Sequence, residues 1–309
     1  MRLIHCADLH LDSKLNANLS HDKAKERKGE LLNTFVRMVD YAKVHDVEAI
    51  LICGDLFDTK NISALARNTF KKLVLDNPEI LFFYIRGNHD EDVLINTFDE
   101  TPLNLYLFND AWNSYVLGEC NNVYIHGVEL TKDNSGFIQS NFAPDPSKIN
   151  IVMLHVQEQE TNSKDKTETI NLKLFRNKGI NYLALGHVHE YKRVQLDGGC
   201  VYSYSGCLEG RGFDEIGDHG FVLLDIDEET GVVTDTFVSF AKRKLYEINA
   251  DVTGLNNTPD MLKAVRKALD ESDASESDLV KIVLTGDVDV ECKRIRILYS
   301  TPLKANFIS

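Results

Sequence analysis

Apolar residues follow two rhythms along the first part of the chain. Short unbroken runs at 2–6, 48–53 (EAILIC) and 80–85 (ILFFYI) have the length and character of strands buried on both faces. Between the first two, Leu31, Leu32, Phe35, Met38, Val39 and Ala42 recur at three- and four-residue spacing, which predicts a helix over 22–45. Between the second and third, Leu65, Phe70, Leu73 and Val74 are less regular and fall within 61–76. Strand–helix–strand repeated twice predicts right-handed crossovers and a parallel sheet. Further strands are predicted at 123–126, 149–155 and 182–185. From 191 to 240 the pattern is extended with glycine punctuation, as in an antiparallel layer, whereas 157–169 (QEQETNSKDKTET) has no apolar rhythm and reads as a solvated loop. After the basic step Ala241-Lys242-Arg243-Lys244 a new unit is expected. It comprises a strand at 245–252, a helix at 258–271 capped by Thr258 with Pro259 in its first turn, and a strand at 279–285. The boundary is placed near 241, dividing the chain into 1–240 and 241–309.

Each early apolar run is followed at once by a polar segment. Asp8-x-His10 follows the first, Gly54-Asp55-x-x-Asp58 the second and Gly87-Asn88-His89-Asp90 the third; His155 ends another run and Gly186-His187-x-His189 follows the next. Chemistry in parallel sheets gathers at the carboxyl ends of strands, so residues dispersed in sequence can meet on one rim. Taken singly, each segment has an ordinary reading: a cap and a surface histidine, a Gly-Asp turn, a helix N-cap cluster, a core histidine. Their conjunction, always after an apolar run, is what signals a site. Carboxylate and amide oxygens mixed with imidazoles, without thiolates, suit Mn, Fe(II) or Zn better than Mg or Ca. Gly54, Gly87 and Gly186 each precede a candidate ligand where the chain must turn sharply.

The ordered set D-x-H, G-D-x-x-D, G-N-H-D, H, G-H-x-H resembles the calcineurin-like metallophosphoesterase superfamily. More narrowly, RLIHCADLHLDS, ICGDLFDT, IRGNHD and LGHVH are similar to SbcD-type DNA repair exonucleases, relatives of the meiotic-recombination nuclease. The resemblance covers 1–240 well and the remainder loosely. It implies an α/β fold, a four-layer α/β/β/α sandwich with a small or partial C-terminal α/β capping domain. It also implies two divalent metal ions, Mn2+ first, with Fe2+ or Zn2+ as alternatives. Asp8, His10, Asp55 and His189 would hold one ion, and Asp55, Asn88, His155 and His187 the other, with Asp55 bridging. His89 would be the general acid, serving in-line attack on phosphorus by a metal-bridging hydroxide. Asp58 and Asp90 are expected around the ligands; Arg211 is expected either at the substrate phosphate or in a structural salt bridge. Two departures stand out. Asp58 occupies a place where some nuclease relatives carry His, and 204–213 (YSGCLEGRGF) replaces a commoner Y-P-G-S pattern. The implied partners are DNA, an SbcC-type ATPase and a second copy of the chain in a homodimer. No amphipathic helix pair of the kind that relatives use to grip the ATPase follows the cap, so docking differs or the chain is truncated.

Composition narrows the choice. With 309 residues, 43% hydrophobic and 27% charged, the chain can bury a large core, and no apolar run approaches a membrane span. Asp8 interrupts the N-terminal run before any signal-peptide core, and six cysteines without C-x-x-C spacing read as reduced thiols, so a cytoplasmic address is expected. A net charge of −14 argues against a protein that coats nucleic acid by bulk charge. DNA binding should therefore be weak and salt-sensitive unless a partner supplies affinity. Lys23, Lys25, Arg27 and Lys28 alternate with acids and read as a solvated helix face; Lys242, Arg243 and Lys244 are better placed to guide a strand. The expected function is metal-dependent phosphodiester hydrolysis of DNA in repair. A small-molecule phosphodiesterase, a phosphoprotein phosphatase and a non-catalytic ATPase scaffold remain as alternatives.

Overall fold

The computed structural model describes residues 1–13, 21–58, 62–90, 97–98, 100–159, 168–287, 296–298 and 306–308. The chain divides into two compact units, Met1–Glu209 with His219–Phe240, and Gly210–Asp218 with Ala241–Ser309.

In the first unit the elements run β1 (Arg2–Cys6), α1 (His21–Val44), β2 (Ala49–Cys53), α2 (Ala64–Leu75), β3 (Leu81–Ile85), β4 (Leu105–Leu107), β5 (Asn113–Leu117), β6 (Val123–Gly127) and β7 (Ile149–His155). There follow β8 (Gln157–Glu158), β9 (Thr169–Ile170), a 3-10 turn (Leu172–Phe175), β10 (Tyr182–Gly186), β11 (Lys192–Gln195), β12 (Val201–Tyr204), β13 (Gly220–Ile226) and β14 (Val233–Ser239). Two six-stranded sheets result, ordered β14-β13-β1-β2-β3-β4 and β11-β12-β10-β7-β6-β5. β1, β2, β3 and β4 are parallel, as are β6, β7, β10 and β12, so the strands that precede the polar motifs end on a common side of their sheets.

Three apolar layers hold this arrangement. Phe35, Met38, Val39 and Ala42 of α1, with Ala66, Phe70 and Val74 of α2, pack against Ile4, Ile50, Ile52 and Phe82 on the outer face of the first sheet. Leu3, Leu51 and Phe83 meet Ile125, Ile151, Met153 and Tyr182 between the sheets. On the far face of the second sheet, Val152, Leu154, Leu183 and Leu185 are covered by Ile138, Phe142, Leu172 and Phe175. The fold is therefore the expected layered α/β sandwich, rich in sheet. Among the described residues, the outermost layer on that side is built from turns, the short β8–β9 pair and the 3-10 turn, with no α-helix.

Several local expectations change. The stretch 191–240 is not one layer: β12 pairs parallel with β10 through Tyr182↔Val201, while β13 runs antiparallel to β1 through Leu3↔Leu224. An extended pattern records burial and says nothing about which strand lies alongside. Leu65 is exposed and Ala66 takes its place in the core. Arg27 is buried rather than solvated, beside Glu30 and Glu209, with the Thr34 hydroxyl donating to Glu209 at 2.7 Å. The ends of the expected loop 157–169 pair as β8 and β9; residues 160–167 lie outside the described residues.

The second unit contains β15 (Leu245–Asp251), α3 (Thr258–Asp270) and β16 (Leu279–Thr285), with β15 and β16 parallel, and a short antiparallel pair, β17 (Arg296–Leu298) and β18 (Asn306–Ile308). α3 is capped by Asn257, not Thr258. The Asn257 side chain accepts from Asp260 N–H at 2.9 Å, which places Thr258 and Pro259 inside the first turn. The basic step is engaged here: Lys244 pairs with Asp218 at 2.6 Å, and Arg243 donates to Ser277 O at 2.7 Å. No helix among the described residues is long and apolar enough to cross a membrane.

Candidate metal centre

The turns that leave β1, β2 and β10 carry unusual backbone. Asp8, His10, Asp55 and His187 all have positive φ, between 42° and 98°, a region L-residues avoid. Such strain persists where the surroundings over-determine it, and here it aims side chains at one point. Gly54, with φ +88°, is required sterically as well, because a β-carbon there would fall on the His155 ring; one at Gly186 would meet the Cys53 carbonyl.

The side chains converge. Asp55 Oδ2 lies 3.7 Å from His10 Nε2 and 3.6 Å from His155 Nε2, while Asp55 Oδ1 accepts the His89 N–H at 3.0 Å. His10 Nε2 is 3.2 Å from His189 Nε2. Asn88 Oδ1 stands 3.1 Å from His155 Nε2 and 3.4 Å from His187 Nδ1. Both oxygens of Asp8 accept the His187 N–H at 3.1 Å. Three overlapping sets, Asp8 with His10 and His189, Asp8 with Asp55 and His155, and His10 with Asp58 and His89, have their donor atoms close enough to share an ion.

The donor set fits divalent cations. His155 Nδ1 lies 2.9 Å from the Cys53 carbonyl, which can only accept, so the ring proton is there and Nε2 presents a lone pair. Burial pulls His155 down to about 4, keeping it neutral. A neutral Nε2 facing the Asn88 carbonyl oxygen is repulsive by itself and becomes favourable with a cation held by both. Two ligands about 2.1 Å from one ion stand roughly 3.0–3.7 Å apart, the range seen here. Burial also pushes the Cys6 and Cys53 thiols up, so neither offers a thiolate.

Around this core, Asp58 Oδ1 lies 3.0 Å from His10 Nδ1 and 3.9 Å from His89 Nδ1. The charge of a carboxylate there favours the tautomer with its proton on Nδ1, which leaves His10 Nε2 free to ligate. His89 is about half exposed, its ring edge-on to that of His10. The Asp90 carboxylate receives the N–H groups of Leu56, Phe57 and Gly87 at 3.0–3.3 Å, bracing the turn after β2 against the turn after β3. Burial raises its pKa to about 6. Arg211 belongs to the second unit and pairs with Glu215 at 2.8 Å. Two further residues belong to no motif. Asp12 accepts Ser63 N–H at 2.7 Å at the start of α2, and Glu168 Oε2 lies 3.7 Å from His187 Nδ1. Asp12 stands within the DLHLDS segment, but Glu168 sits in a polar stretch where nothing sets it apart from its acidic neighbours.

The calcineurin-like phosphoesterase family model matches residues 1–191, a stretch that contains every one of these converging side chains. The chain belongs to the calcineurin-like phosphoesterase family. It is a metal-dependent phosphoesterase. The chain is 26% identical, over 100% of its length and 80% of the relative's, to a DNA double-strand break repair protein Mre11 of Saccharolobus solfataricus. It is 28% identical to an uncharacterized metallophosphoesterase, YhaO, of Bacillus subtilis, covering 93% of this chain and 72% of that one. It also matches the SbcD component of the SbcCD nuclease of Escherichia coli, 28% identical over 31% of this chain and 23% of the relative.

Proposed function

We propose that this phosphoesterase is a two-metal phosphodiester hydrolase that cuts DNA, working in repair with an SbcC-type ATPase. The observation that carries the reading is the position of Asp55 Oδ2, at nearly equal distances from His10 Nε2 and His155 Nε2, where one carboxylate oxygen can bridge two ions. Asp8, His10 and His189 would serve one ion and Asn88, His155 and His187 the other, with manganese the native metal. Ions held there would polarise the phosphoryl oxygens and lower the pKa of an attacking water. His89, half exposed beside the cluster, donates a proton to the departing sugar oxygen. Asp58 orients His10 and lies 3.9 Å from His89 Nδ1. Relatives named for double-strand break repair and for the SbcCD nuclease support DNA as substrate. The net charge of −14 and the engaged Arg243 and Lys244 favour a partner that supplies the grip on DNA.

The test uses metal-stripped protein refilled with manganese and given end-labelled linear DNA, the same DNA as a closed circle, bis-p-nitrophenyl phosphate and a phosphopeptide. Cleavage of linear DNA and of the diester, with the phosphopeptide intact, is expected; the circle separates end-directed from internal cutting. Cleavage of the phosphopeptide alone would overturn the reading. Cleavage of the small diester without DNA, even with the ATPase partner present, would replace it by a small-molecule phosphodiesterase.

A further inference from the structure

We propose that Glu168 supplies an additional carboxylate oxygen to the cation position served by Asn88, His155 and His187, an inference that rests on the two-metal reading above. Glu168 Oε2 stands 3.7 Å from His187 Nδ1, the ring nitrogen that also faces Asn88 Oδ1 at 3.4 Å. That separation is too long for a hydrogen bond and matches the spacing of two ligands on one ion.

The backbone explains why this acid is in place. Gln157 N–H donates to Glu168 O at 2.8 Å, and Gln157 pairs with Thr169 in the β8–β9 ladder. Gln157 lies two residues beyond His155, so Glu168 is tied to the strand end that carries a ligand. Its side chain is about one-third exposed. Glu158, on the same ladder, is taken up elsewhere: its Oε2 accepts from Tyr202 OH at 2.8 Å and from Lys192 Nζ at 3.2 Å. A further anionic oxygen would raise affinity at this position and shift its preference toward oxygen-loving manganese over zinc.

The experiment is a manganese titration of the full chain, stripped by chelator, followed by calorimetry and by the electron paramagnetic resonance of free Mn2+. Wild type is expected to take up two equivalents. In Glu168→Gln one equivalent should weaken by about tenfold or more while the other is unchanged, and in Glu158→Gln both should keep wild-type affinity. Melting curves of the chelated variants check that each is folded; Glu168→Ala serves if the Gln variant is not. Both affinities within twofold of wild type in a folded Glu168 variant would overturn the proposal. Fewer than two equivalents in wild type would instead overturn the two-metal reading, and this inference with it.

Discussion

His155, at the end of a strand in the second sheet, is hydrogen-bonded through Nδ1 at 2.9 Å to the carbonyl of Cys53, at the end of a strand in the first. The bond sets the imidazole tautomer and joins the two sheets at the rim where the candidate ligands meet. It also depends on the absence of a side chain at Gly54, next to Cys53.

Gly54→Ala should therefore damage both fold and site. The φ of +88° and the collision with the His155 ring together are expected to lower stability by about 1–3 kcal/mol. Manganese bound after dialysis should fall as well. Urea melts and metal analysis would reveal this, and a variant with wild-type melt and full metal would show that the turn tolerates a β-carbon.

His89→Ala should separate two substrates. With DNA the leaving sugar oxygen needs a proton, so the rate is expected to fall by about 10²–10⁴. With bis-p-nitrophenyl phosphate the leaving phenolate is stable without one, and the loss should be much smaller. Metal content should stay at the wild-type level. Equal losses on both substrates, or loss of metal, would contradict a general-acid role.

Asp58→Asn tests the contact with His10 Nδ1. Removing the charge while keeping the shape is expected to weaken metal binding or activity by roughly 10–100-fold, through the orientation and basicity of His10. Manganese titration decides it; affinity and rate unchanged would leave Asp58 without a positioning role.

His5 gives a pH signature away from the metal site. It is fully buried, with Tyr182 OH 3.0 Å from Nδ1 and Leu185 O 3.1 Å from Nε2; the carbonyl can only accept, so the ring is neutral with its proton on Nε2. Burial depresses its pKa to about 3, against 6.5 unfolded. The stability it supports is thus complete above the unfolded value and is lost as pH falls from about 6.5 toward 3, by up to about 5 kcal/mol. His5→Gln keeps a donor and an acceptor without titrating. Its stability, measured by urea denaturation in chelator at pH 7.5, 6, 5 and 4, should fall less steeply than that of wild type. Parallel curves would show that His5 does not contribute to acid unfolding.

The local pattern of the chain determined a good deal. Buried parallel strands announce themselves as short apolar runs, and the run ends of β1, β2, β3, β7 and β10 were legible together with the Asp, Asn and His residues that follow them. The stripe on α1 was equally plain, since Phe35, Met38, Val39 and Ala42 face one way by helical geometry alone. What needed tertiary structure were relationships set by neighbours distant in sequence. Which sheet an extended segment such as 192–204 joins depends on backbone hydrogen bonds to a partner strand, and every extended segment offers the same donors and acceptors. The burial of Arg27 against Glu209, the reach of Asp58 to His10, the bracing of two turns by Asp90 and the approach of Glu168 to His187 are of the same kind. An acidic side chain carries no local mark of whether it faces water, a backbone amide or an ion. Only the folding of two sheets onto a shared rim decides that.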